Sequence, residues 1–187
     1  RFWSGILGAL HPSIRHIVVD QRGAGRCGRP EGPYSVDIIA RDIVAVLDHL
    51  SEDSVHLAGH STGGLVAQTL AIDHPSRISS VVISASWEKA DQRFRTLFGA
   101  RRAMIEAGLF EDYQALTQVL GYNVAYMESH ASALAQDRKQ AAQRLMPASV
   151  TAARIGMLVD FDRSADLHRI TAPTMVIGSR EDMMVPF

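Results

Sequence analysis

Apolar positions along the chain fall into two kinds of cluster, short β-branched runs and longer stretches of helical spacing. Ile17-Val18-Val19 is a run of the first kind, ends at Asp20, and predicts a buried strand. Gln21 to Pro33 follows with four glycines and two prolines, which excludes regular structure and predicts a long loop. Loops of that length in compact domains are disproportionately functional. Ser35 is placed to cap a helix with Asp37 in its first turn. Ile39, Ile43, Val46, Leu47 and Leu50 then recur at the spacing of one buried helix face. Val55 to Ala58 predicts the next strand, and Leu65, Val66, Thr69 and Leu70 a helix that stops before Pro75. Further strands are predicted at Ile78 to Ala85 and Thr174 to Gly178.

Strands alternating with helices imply an α/β fold, a parallel sheet covered on both faces. Between Trp87 and about His168 the pattern holds helical segments only. Phe94, Leu97, Phe98, Arg101 and Ile105 outline one helix face, and Leu109 to Leu120, Ala131 to Met146 and Val150 to Leu158 suggest others. An all-helical insertion between two parallel strands is expected to cap one edge of the sheet. The chain thus divides into a first core part (1–86), a helical cap (87–168) and a second core part (169–187).

Composition adds little to this picture and removes some alternatives. The chain has 187 residues, enough for one sizeable core, and its 47% hydrophobic and 21% charged residues are those of an ordinary folded protein. A net charge of -1 with no basic stripe leaves nucleic acid no electrostatic footprint. The arginines at 93, 95, 101 and 102 read as a solvated helix face. No apolar run approaches the ~18 residues of a membrane span, so no membrane partner is expected. The single cysteine, Cys27, reads as a bystander in a Gly/Arg loop and fits a reducing, cytoplasmic setting. The chain opens abruptly at Arg1-Phe2-Trp3, which leaves a preceding signal peptide open.

The chemistry concentrates in Gly59-His60-Ser61-Thr62-Gly63-Gly64, directly after a strand and before a helix. Gly-x-Ser-x-Gly in that setting is a nucleophile elbow. A serine hydroxyl attacks well only when a base can reach it, and a sharp, strained turn lifts it off the sheet. On this reading Gly59 and Gly63 approach neighbouring backbone too closely to carry side chains, and the free backbone N–H of Thr62 can hold an oxyanion. A phosphate-binding turn is the alternative, but the lysine of a Walker loop and the Gly-x-Gly-x-x-Gly of a dinucleotide fold are both missing. Near the other end, the strand at Met175 runs into a turn with adjacent carboxylates, Glu181 and Asp182. Sites in parallel sheets form at the carboxyl ends of strands, which puts this turn at the pole of Ser61, where a buried acid orients a histidine.

Asp20-Gln21-Arg22-Gly23-Ala24-Gly25, the elbow, and Gly178 to Pro186 together resemble the α/β-hydrolase superfamily over nearly the whole chain. Within it, the helical cap beginning at Ser86-Trp87 is similar to the branch of 3-oxoadipate enol-lactone hydrolases and of the small-amide (aminoacrylate or carbamate) hydrolases. The resemblance implies Asp182 rather than Glu181 as the triad acid, because the family places it three residues before the valine that precedes proline. Serine at position 61 argues against the haloalkane dehalogenases, which carry aspartate there.

None of the eight histidines is a good base. His60 adjoins Ser61, but neighbours in a turn point apart, and it reads as a wall of the elbow. His168 precedes the last strand, at the opposite pole, and His130 lies in the cap. His11, His16, His49, His56 and His74 read as surface or core residues, and no metal-binding spacing is present. The resemblance places the catalytic histidine beyond Phe187, and the strand carrying the second oxyanion donor before Arg1, between the strands ending at Asp20 and Gly59. The expectation is therefore an incomplete hydrolase fold, a fragment that alone folds poorly and does not turn over.

The implied activity is cleavage of a carboxylic ester, lactone or small amide through an acyl-enzyme at Ser61, with no cofactor or metal and a small-molecule substrate. Trp87, Met183 and Val185 either line an apolar acyl pocket or pack the cap on the sheet. Rival readings are perhydrolysis or C–C bond hydrolysis on the same scaffold, and a non-catalytic ligand receptor.

Overall fold

The structure is a computed structural model and describes residues 3–185. Pro186, which closes the acidic-turn motif, lies outside them, as do Arg1, Phe2 and Phe187.

The centre is a parallel three-stranded sheet in the order β1 (Val55–His60), β2 (Ile78–Ser84), β3 (Thr174–Ile177). Between β1 and β2 runs α3 (Thr62–Asp73), in which every residue from Gly64 to Ile72 is buried. A helix apolar on all sides belongs in the centre of a core, and α3 packs on both β1 and β2. It ends at His74, where Pro75 opens a single 3₁₀ turn into β2. α2 (Val36–His49) packs on α3 and buries Val36, Ile39, Ala40 and Leu47. Its start is fixed as the sequence predicts, with Ser35 accepting a hydrogen bond from Ile38 N at 3.2 Å. A short helix, α1 (Ser4–Leu7), precedes them.

Two expectations about the sheet do not hold. Residues 16–20 form no strand, and Val18 and Val19 stand 53% and 37% exposed. A β-branched run becomes a strand only where a neighbour completes its hydrogen-bond ladder, and no described segment pairs with this one. The sheet is also not covered on both faces among the described residues. His56 and Ala58 alternate outward on β1, and Met175, Val176 and Ile177 of β3 are exposed, while α2 and α3 cover the other side.

Between β2 and β3 the chain is helical, as read from its spacing: α4 (Gln92–Glu106), α5 (Phe110–Gly121), α6 (Val124–Ser129), α7 (Ala131–Lys139), α8 (Ala141–Leu145) and α9 (Ala148–Asp160). The single segment expected from 131 to 146 is broken at Gln140, and α6, capped by Asn123 on Tyr126 N, is an addition. The core continues into this layer through Trp87, Phe94 and Phe98, with ring centroids 4.3 and 3.9 Å apart. The two stems of the insertion meet: Lys89 and Asp162 form an antiparallel bridge and a 2.7 Å ion pair, and Arg163 N donates to Glu88 O. Lys89, helped by Ser164, holds the Asp162 carboxyl down to about 2.

Arg101 corrects the surface reading of the arginine cluster. It is 4% exposed, because its guanidinium lies over the rings of Phe98 and Tyr113, at 4.7 and 4.5 Å from their centroids.

Candidate active site

Ser61 sits between the end of β1 and the start of α3 with φ 52° and ψ −120°. That region is strained for a residue with a Cβ, by roughly 1–3 kcal/mol. The surroundings hold it there. Ser61 N donates to Ser84 O at 2.9 Å, extending the ladder, while its carbonyl accepts from Gly64 N at 2.8 Å and from Ser86 Oγ at 3.0 Å. Ala85, at the end of β2, is also forced to positive φ (44°), with its N–H on Ile177 O. Thr62 is the first residue of α3, so its N–H belongs to the unpaired donors of a helix start.

The glycines divide differently from the motif reading. A Cβ on Gly59 would lie 2.2 Å from Gly63 O and 2.7 Å from Gly64 N, so this position admits no side chain. A Cβ on Gly63 would meet nothing nearer than Gln21 Nε2 at 3.9 Å. Position 63 is close because of its backbone, and the second obligatory glycine is Gly64, where a Cβ would meet Ser86 Cβ at 2.4 Å.

The acidic turn leaves the sheet at the same rim. His60 pairs with Ser84 and Ser84 with Ile177, so the residues after β1 and β3 emerge level with one another. Asp182 Oδ1 accepts from Met184 N and Val185 N, both at 2.8 Å. Arg93 of α4 clamps the turn from outside, donating to Met183 O at 2.9 Å. Glu181 is exposed. His60 is half-buried, its Nδ1 lies 3.3 Å from Ser84 Oγ, and burial pushes its pKa down against the opposing charge of Asp182. The side chain beside Ser61 therefore senses the carboxylate of Asp182. Trp87 and Val185 are buried in the core, whereas Met183 is half exposed. His168, His130, His11, His16, His49 and His56 are exposed and His74 is half-buried.

Two contacts around the elbow have no signature in the residue pattern. Ser86 anchors the Ser61 carbonyl from the next strand end. Gln21 reaches the elbow from the loop after Asp20, its Oε1 held by Arg154 Nη2 at 3.2 Å. Arg154, on α9, also donates to Arg22 O, and Arg29 donates to Arg144 O and Met146 O, so the insertion grips this loop. Arg22 in turn makes a bidentate pair with Asp42 of α2, at 2.8 and 2.6 Å. A cleft of about 320 Å³ between the loop and α2 is lined by Val19, Gln21, Cys27, Ile39 and Ile43 among others, but not by Ser61 or Asp182. Among the described residues no three His, Cys, Asp or Glu side chains group as a metal site.

A sharp strand-to-helix turn with serine in a strained conformation, followed by a helical insertion and an acid turn at the same rim, matches a known family. The α/β-hydrolase fold profile aligns with residues 2–186. The chain belongs to the α/β-hydrolase fold family. RutD of Variovorax paradoxus (strain S110), a protein named for carbamate hydrolysis, is 36% identical over 188 residues, spanning 100% of this chain and 71% of its own length. RutD of Caulobacter segnis is 32% identical, over 99% of this chain and 70% of its own. Among solved structures, a hydrolase from Pseudomonas aeruginosa PA01 superposes with TM-score 0.82 at 27% identity, over 96% of this chain and 66% of that one. The enol-lactonase of Burkholderia xenovorans LB400 shares the α/β-hydrolase fold, with TM-score 0.75 at 22% identity over 85% of this chain and 60% of that one. The chain is thus an α/β hydrolase that spans about 70% of the length of these RutD relatives.

Proposed function

We propose that the protein hydrolyses a small carboxylic ester, lactone or amide, carbamates included, through an acyl-enzyme formed on Ser61. The observation that carries this reading is the strained backbone at Ser61, φ 52°, held by hydrogen bonds with Ser84 and Ser86 at the end of β2. Strain of that kind persists only where the surroundings impose it, and a strand-to-helix elbow is the turn that sets a serine hydroxyl clear of a sheet. The 36% identity to a RutD protein supports the small-amide and carbamate end of the range.

In the proposed reaction Ser61 Oγ attacks the substrate carbonyl and passes its proton to the base histidine of the triad. Thr62 N–H, at the start of α3, takes the developing oxyanion. Asp182 orients that histidine through Oδ2, since Oδ1 is engaged by the amides of Met184 and Val185. The tetrahedral intermediate collapses as the bond to the alcohol or amine breaks and the histidine protonates that leaving group; water, deprotonated by the same histidine, then attacks the acyl-enzyme, and the acid leaves as Ser61 recovers its proton. Met183, half exposed beside the acid, lines the acyl pocket, while Trp87 and Val185 form its floor from within the core. No cofactor or metal takes part, the partner is a small molecule rather than nucleic acid or membrane, and the setting is cytoplasmic. Among the described residues no helix is long and apolar enough to cross a membrane.

The test is the time course of nitrophenol release from p-nitrophenyl acetate by the full-length protein. A stoichiometric burst followed by steady turnover, both lost in Ser61→Ala, is expected. A burst without turnover assigns a receptor, and turnover that survives Ser61→Ala refutes the nucleophile.

A further inference from the structure

The end of β2 and the residues just after it grip Ser61 on both sides of its α-carbon. Ser84 O accepts from Ser61 N at 2.9 Å, and Ser86 Oγ donates to Ser61 O at 3.0 Å. Between them Ala85 takes a φ of 44°, with its N–H on Ile177 O at 2.8 Å, at the end of the strand that leads into the acid turn. The turn at Ala85 brings Ser86 to the elbow, and α3 makes room for it. A Cβ on Gly64 would lie 2.4 Å from Ser86 Cβ and 2.5 Å from Ser86 Oγ. Glycine is a poor helix former and a positive φ is costly for alanine, so two local costs accompany this one contact.

Satisfying the Ser61 carbonyl does not call for Ser86. That oxygen already accepts from Gly64 N at 2.8 Å, and one partner is enough for a buried carbonyl. The second bond acts on direction. Ser61 O and Thr62 N–H belong to one planar trans peptide, so they point opposite ways. Two donors on the oxygen, one from α3 and one from outside it, hold this plane at the Ser61 ψ of −120° and so fix where the Thr62 N–H points. Donors on a peptide oxygen also polarise the amide and strengthen its N–H. The Ser61 side chain caps none of the helix amides, so the first N–H of α3 stays open to a ligand.

We propose that Ser86 is a positioning residue of the oxyanion site: its hydroxyl, acting through the Ser61–Thr62 peptide, sets the direction and donor strength of the Thr62 N–H. This rests on the serine-hydrolase reading, which makes that N–H an oxyanion donor.

The test is the burst phase of p-nitrophenyl acetate cleavage by the full-length protein, resolved into a substrate dissociation constant and an acylation rate constant. Outright loss of an oxyanion donor slows such reactions roughly 10²–10³-fold, so a misdirected one in Ser86→Ala should slow acylation by about tenfold. The dissociation constant should not change, because the interaction matures only as the oxyanion forms. Inhibition by 1,1,1-trifluoroacetone, whose serine adduct carries an oxyanion, should weaken by the same factor. Ser86→Thr, which keeps the hydroxyl, should restore both. An unchanged acylation rate in Ser86→Ala, a loss confined to the dissociation constant, or Ser86→Thr no faster than Ser86→Ala overturns the proposal. If Ser86→Ala does not fold, Ser86→Gly removes the same hydroxyl and is judged by the same two constants. Failure of the hydrolase reading shows separately, as wild-type protein that gives no burst.

Discussion

The two glycines of the elbow should respond oppositely to the same added methyl group. Gly59→Ala places a Cβ 2.2 Å from Gly63 O and 2.5 Å from Gly63 C. Ordinary contact needs more than an ångström beyond that, and both opposing atoms are backbone, so either α3 must move away from β1 or the turn must open. Overpacking that side-chain rotation relieves costs about 1–3 kcal/mol, and a backbone clash belongs at or above the top of that range. With roughly 2–4 °C per kcal/mol for a chain of this size, Gly59→Ala should lower Tm by about 6–12 °C. Gly63→Ala meets only the amide of Gln21 at 3.9 Å, in a helix where alanine gains up to about 1 kcal/mol over glycine. It should be neutral or stabilising. Thermal denaturation by circular dichroism, paired with the labelling rate by a fluorophosphonate, separates the two, with Gly59→Ala losing both and Gly63→Ala neither. Equal losses in the two variants would refute the geometry, because they would mean that the motif and not the close approach sets the tolerance.

Three further outcomes follow from the same contacts. Ser61→Gly removes the Cβ from a φ of 52° and should raise stability by about 1–2 kcal/mol in urea denaturation while abolishing labelling. Asp182→Asn keeps an acceptor for Met184 N and Val185 N, so the turn should stay folded, but the charge opposing the effect of burial on His60 is lost. The NMR titration midpoint of His60 should therefore fall further below the ordinary histidine value; an unchanged midpoint would separate the elbow from the acid turn. Asp42, held down by its hydrogen bonds from Arg22, and Asp162, held at about 2 chiefly by Lys89, are depressed carboxyls. Such groups stabilise the fold above the unfolded value of about 3.9, and the contribution is lost as pH falls from there toward 2. Asp162→Asn should flatten the fall of the urea midpoint across that window.

What could be read from the sequence, and what could not, follows physical lines. Val55 to Ala58 and Ile78 to Ala85 were legible as strands because each finds a neighbour, whereas the equally β-branched Ile17 to Val19 has none among the described residues and stays irregular. The elbow was legible because its geometry demands particular residue types at fixed spacing. Which glycine is indispensable was not, since that depends on what a Cβ would meet: the backbone of Gly63 and Gly64 at position 59, and Ser86, from the segment after β2, at position 64. Arg101 gave two conflicting signals. Its spacing with Phe94, Phe98 and Ile105 placed it on the buried face and its charge placed it in solvent; the spacing was the better guide, because two aromatic rings make burial tolerable. The hold of Arg154 on the loop after Asp20, and of that loop's Arg29 on the insertion, joins residues more than a hundred positions apart, which no local pattern reveals.

The most direct check is peptide mapping of the protein after reaction with a fluorophosphonate. The account predicts one adduct, on the hydroxyl of residue 61, formed more slowly in Asp182→Asn and absent from Ser61→Ala. An adduct on any other residue, or none in folded protein, would contradict it.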